Sequence, residues 1–125
     1  MKIKTSVIVS ALGVLKAIDT TKMKLSTSYK VKTILAACQL AMEDFEAKRI
    51  KMAESHGTLS KDKSHYEFTK KGSQAAFEID MQAMMDDMID MDIKKIPLSL
   101  VDDYIDVEPT NVNLVEWFID GLDAL

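Results

Sequence analysis

The chain contains a single cysteine, Cys38. One cysteine excludes an internal disulfide and any zinc cluster built on cysteine ligands. Such usage fits a reducing compartment. Four glycines and two prolines leave little material for tight turns, which argues against a turn-rich β fold. No run approaches the roughly 20 apolar residues that a spanning helix needs. The nearest candidate is residues 7–15, mostly apolar and preceded by Lys2 and Lys4, in outline like a signal peptide. Lys16 and Asp19 cut it short, and no small-x-small cleavage site follows. It therefore reads as a helix of the folded protein, and no membrane partner is expected. Gly-rich phosphate loops are missing, as is any recognisable Ser/His/Asp order. The chain is read as not an enzyme, with no cofactor and no bound metal.

What is present is a foldable chain. At 47% hydrophobic it can bury a core, and its 125 residues suit one domain, 1–125. The net charge of −4 hides a strong segregation. Residues 1–32 carry +6, residues 33–72 carry +1, and residues 73–125 carry −11. Either the basic start packs near the acidic end in one molecule, or copies meet head to tail, or the acidic part faces a basic partner. A nucleic-acid binder needs an extended basic surface, which most of this chain lacks.

Residues 6–18 read as a first helix, with Val7, Leu12, Val14, Leu15 and Ile18 on its apolar face and Thr5 or Ser6 as N-cap. Gly13 inside it costs about 1 kcal/mol relative to Ala. Residues 1–4 alternate like a short edge strand. A connector over 20–28 offers Ser26, Thr27 and Ser28 as caps for a long helix, about 28–56, stopped by Gly57. Val31, Cys38, Phe45 and Met52 recur every seven residues along it and predict a coiled-coil-like seam. Residues 58–72 form a polar, charged tip, with a fragment of strand at 66–68.

The segment FEIDMQAMMDDMIDMD, residues 77–92, holds five of the nine methionines interleaved with five aspartates. It predicts a third helix over about 73–91, its methionines facing the long helix across an antiparallel hairpin. Facing residues then place Arg49 opposite Asp80 and Lys51 opposite Glu78. Met85 lies beside the seam, so this helix can bury one side and offer another to a partner. Beyond it, Ile96, Leu98 and Leu100 alternate, as do Ile105 and Val107, predicting two short strands, the first an edge strand because of Pro97. Residues 110–122 read as a last short helix, capped by Thr110 or by an Asn113/Glu116 box. The predicted architecture is mainly α: a long antiparallel hairpin, and a small mixed end built from 1–27 and 92–125.

Candidate chemistry is sparse. His56 and His65 flank the tip and read as exposed loop histidines. Cys38 reads as a buried small hydrophobe. Glu43-x-x-Glu46 with Asp86, Asp87 and Asp90 resembles in outline the carboxylate pattern of all-α nucleotide pyrophosphohydrolases, which would imply Mg²⁺ held between helices. The last pair, Asp87-x-x-Asp90, departs from that pattern, and Phe45 on the seam turns Glu43 and Glu46 outward. Candidate partner-binding residues are Met85, Asp86, Asp87 and Asp90, together with Asp102, Asp103 and Asp106. A long hairpin has too little interior to cover all its apolar side chains, so a homo-oligomer or a docked partner is expected.

The MKIK start, the apolar first helix, SYKVKTILAA opening the long helix, and IPLSLVDDYIDVEPTNVNLVEWFI together resemble small proteins of unassigned function encoded by tailed bacteriophages. The resemblance spans most of the chain and carries over no catalytic residue. It implies a phage gene product, in the host cytoplasm or the virion, working through protein contacts. Its partner would be a phage structural protein during assembly, or a host enzyme that it inhibits.

Overall fold

A computed structural model describes residues 1–125 throughout. The architecture is mainly α. In order, the chain forms β1 (Lys2–Lys4), α1 (Thr5–Asp19), α2 (Leu25–His56), β2 (Thr58–Leu59), β3 (Tyr66–Glu67), α3 (Ser73–Asp86), β4 (Met88–Asp90), β5 (Ile96–Pro97), α4 (Leu98–Val101), α5 (Val112–Val115) and β6 (Ile119–Asp120). Single 3₁₀ turns cover Pro109–Asn111, Glu116–Phe118 and Leu122–Ala124. The strands pair as β1 with β4, antiparallel; β2 with β3, antiparallel; and β5 with β6, parallel.

The core lies at the α1 end. Ile8, Ala11, Leu15 and Ile18 recur at helical spacing and form one fully buried side of α1. They share a cluster with Val31, Ile34, Leu35 and Cys38 of α2, and with Ile96, Val101, Val115 and Phe118 from the C-terminal part. The first half of the α2 seam therefore packs in this core, which α1 builds, and not against α3 as the periodicity predicts. Further along, Phe45 and Met52 are only half-buried, and between residues 39 and 56 Ala53 alone is buried. That part of α2 and α3 make a thin arm, closed at its end by the β2–β3 hairpin and the Phe68–Phe77 ring contact, 4.9 Å between centroids. Phe45 and Met84 flank the same depression between the helices, as the predicted facing register requires.

The predicted third helix stops five residues early. Asp86 ends α3 and Asp87 is its C-cap; continuing the helix would add Asp90 and Asp92 near its C-terminus, where the helix dipole is negative. The chain instead turns extended after Asp86 and pairs Met88–Asp90 with Lys2–Lys4, Ile3 opposite Ile89. Alternation then turns Ile89 inward and leaves Met88 and Asp90 exposed. Met81, Met84, Met85, Met88 and Met91 thus do not share one helical face; Met91 belongs to the core and Met88 is exposed.

The C-terminal part also departs from expectation. Leu98–Val101 is a helical turn, not a strand, because Leu98 and Val101 turn inward at i,i+3 while Leu100 stays partly exposed. Residues 105–107 form no strand. The predicted last helix is broken: Trp117, Phe118 and Ile119 are buried consecutively, which no single helical stripe permits, so the chain goes extended at Ile119 to pair with Ile96. Trp117 Nε1 donates to the Leu114 carbonyl at 2.8 Å, and its ring meets Phe118 edge-on.

None of the expected side-chain caps forms. Lys4, Lys24 and Asn111 occupy the N-cap positions of α1, α2 and α5 without a capping bond. Thr5 is buried inside α1, and its Oγ1 donates to the Asp87 carbonyl at 2.9 Å. Gly57 does follow α2, but in an extended conformation. A Cβ there would lie 3.0 Å from the Glu67 carbonyl, so close approach is what requires glycine.

Three outcomes follow. Phe118→Ala is expected to cost about 3–5 kcal/mol in urea unfolding, as a fully buried ring lost from the core. Gly13→Ala is expected to raise stability by about 0.5–1 kcal/mol in the same assay, since nothing lies within 4 Å of its added Cβ. Burial pushes the Cys38 thiol up to about 11. Ellman's reagent at pH 8 should therefore label Cys38 only as fast as the chain opens, with labelling accelerated by urea.

Candidate interaction surface

The candidate partner-binding residues fall into two groups. Asp86, Asp87 and Asp90 gather where α3 meets the β1–β4 pair. Lys4 Nζ lies 3.9 Å from Asp86, and the Met1 amino group 3.3 Å from Asp90. The Asp87 carbonyl accepts from both the amide and the hydroxyl of Thr5, each at 2.9 Å. The basic start thus does pack on part of the acidic segment within one molecule. Being exposed, each ion pair contributes under about 1 kcal/mol. Met85 is half-buried on α3 beside them.

Asp102, Asp103 and Asp106 behave differently. All three are exposed on the turns after α4, and none forms an ion pair or side-chain hydrogen bond within the chain. No salt bridge or hydrogen bond joins them to the first group. Asp102 lines an apolar depression of about 120 Å³ with Leu98, Val101, Val112, Val115, Ile119 and Leu122; Asp103 follows it in the chain, and Asp106 lies between Ile105 and Val107, which also line it. Leu98 and Leu122 are half-buried, and Val112 is 37% exposed. The aspartates were legible in the sequence; the depression was not, because it exists only once α4, α5 and β6 are folded together.

A second exposed apolar feature escaped the sequence reading. Leu25 and Tyr29, one turn apart at the start of α2, are 86% and 73% exposed. Lys22, Lys24 and Lys30 flank them and form no ion pairs, whereas Lys32 is tied to Asp19 at 3.0 Å. The signal was available: two large apolar residues at i,i+4 lie off the Val31–Cys38 seam, bracketed by lysines.

The carboxylates of the pyrophosphohydrolase-like pattern do not converge. Glu46 pairs with Arg49, whose hydrogen bond holds its carboxyl below the ordinary carboxylate range, and Glu43 is exposed. No group of three or more His, Cys, Asp or Glu side chains is placed to hold a metal ion. The expected pairs Arg49–Asp80 and Lys51–Glu78 do not form. His56 ends α2, as the predicted helix bounds have it, but its side chain is half-buried and not free in a loop, with its Nε2 2.7 Å from Asp80.

The tip is an ordered turn. Asp62 Oδ1 accepts from the Ser60 hydroxyl at 2.6 Å, the Ser64 hydroxyl at 2.7 Å and the Ser64 amide at 3.1 Å. Beneath it Arg49, Ile50, Leu59, Tyr66 and Phe77 line an open hollow of about 540 Å³. Two of its polar groups are taken up internally, Arg49 by Glu46 and the Tyr66 hydroxyl by Glu54. No helix is long and apolar enough to cross a membrane.

The chain matches no protein-family model, no curated protein and no solved structure.

The Asp62 carboxyl is held down to about 2, chiefly by the Ser60 and Ser64 hydrogen bonds. A depressed folded value means that the turn gains from ionised Asp62 above its ordinary 3.8 and loses that gain as pH falls through about 2. The Ser64 amide NMR signal is expected to titrate with a midpoint near 2, and Asp62→Asn should abolish the transition.

Proposed function

We propose that this is a non-enzymatic protein of a tailed bacteriophage that acts through protein–protein contacts, as a virion or assembly component. The apolar depression lined by Asp102, with the unpaired Asp103 and Asp106 adjacent in the chain to its lining residues, carries this reading. An apolar floor with unpaired charge at its edge suits a partner that brings an apolar side chain flanked by lysine or arginine. The resemblance of the first helix, the long helix and the C-terminal segment to small phage proteins supplies the setting, in the host cytoplasm or in the particle.

The same surface favours a second reading, in which the partner is a bacterial enzyme with a basic site and the protein is its inhibitor. Aspartates free of internal partners lose no intramolecular pair when they meet such a site.

Tagged protein recovered during infection is expected to bring phage structural proteins, and purified particles should contain it. Replacing Asp102, Asp103 and Asp106 with Asn should reduce that recovery. Recovery of one host enzyme alone would replace the assembly reading with inhibition. Absence from particles, with no phage protein recovered, would contradict it.

A further inference from the structure

We infer that the depression lined by Asp102, with Asp103 and Asp106 adjacent in the chain to its lining residues, receives Tyr29 of a second copy of this chain, with Leu25 one turn away against its rim, joining copies head to tail. This rests on the reading that the protein acts by protein contacts, and it names the partner. Leu25 and Tyr29 project at 86% and 73% exposure, so their own chain leaves most of each side chain uncovered. The depression holds about 120 Å³, below the roughly 300 Å³ at which small-molecule sites begin. Its scale is that of a single inserted side chain.

Charge selects the same pairing. Lys22, Lys24 and Lys30 flank the projecting residues in the chain, Asp102 lines the depression, and Asp103 and Asp106 are chain neighbours of its lining residues; none of the six has an ion-pair partner in its own molecule. Apolar surface meets apolar surface at the centre while opposite charges meet at the edge, the usual anatomy of a specific contact. Because the two surfaces differ, each added copy leaves one of each free. Such a heterologous contact closes into a ring or extends into a fibre. The segregation between residues 1–32, at +6, and residues 73–125, at −11, supplies long-range attraction in the same direction.

Sedimentation of the whole chain over a concentration series tests this. The mass is expected to rise with concentration, and less steeply at high salt. Tyr29→Asp should be monomeric. So should the double variant Asp103→Lys, Asp106→Lys. All the altered residues are exposed, so circular dichroism should remain that of the parent. Mixing the two variants is decisive, because only one intact projection and one intact depression then meet: a dimer should form and nothing larger. A parent monomeric at every concentration, a mass that neither variant changes, or a mixture that stays monomeric would overturn the inference. If self-association fails while recovery of a phage structural protein still depends on Asp103 and Asp106, the contact reading survives with another occupant. If recovery also fails, both are overturned.

Discussion

The fold depends on burying one side of α1. Ile8, Ala11 and Leu15 are wholly inaccessible and Ile18 nearly so. Burial of each larger side chain contributes about 1.5–3 kcal/mol. The elements around α1 have little stability of their own. Helices α4 and α5 have four residues each, far below the length at which an isolated helix persists in water. Val101, Val115 and Phe118 hold them in place by packing in the core that α1 organises. β1 runs directly into α1, so fixing the helix also fixes the strand that receives Met88–Asp90 and ends α3.

Two regions of unequal character result. The α1 lobe is packed from several directions and carries the depression with its unpaired aspartates. The arm beyond Gln39 holds two buried apolar side chains, Ala53 and Met84, and is kept in register by contacts such as His56–Asp80 and Phe68–Phe77. A docking surface on the lobe is presented by a rigid frame, which keeps the ordering cost of binding low. Some of the arm's charges are paired locally, as Arg49 with Glu46 and Lys48 with Asp44.

Helical periodicity made the bounds of α1 and α2 legible to within a few residues. The buried side of α1, however, runs through Ile8 and Ala11, with Val7, Leu12 and Val14 only partly buried, because α1 is apolar over most of its circumference. The hairpin and its tip were legible from periodicity too, together with the polar composition of 58–72. Periodicity failed where backbone pairing competes with it. Residues 88–90 carry a helical pattern, yet β1 offers them backbone pairing, and stopping the helix keeps Asp90 and Asp92 away from its negative end. Residues 98–101 and 117–119 are too short for any period to declare itself, and their conformation follows from which side chains reach α1. Of the candidate surface, Asp102, Asp103 and Asp106 were readable as charge. Leu98, Val112 and Leu122 come together only through the tertiary fold.

Native-state hydrogen exchange measures the central claim directly, since it reports the free energy of opening amide by amide. If the buried side of α1 organises the fold, the amides of Ile8, Ala11 and Leu15 should exchange slowest, at the rate set by global unfolding. Those of α3, and of α2 beyond Phe45, should exchange orders of magnitude faster. Equal protection along the whole of α2 and α3 would contradict it and place the organising contact in the hairpin.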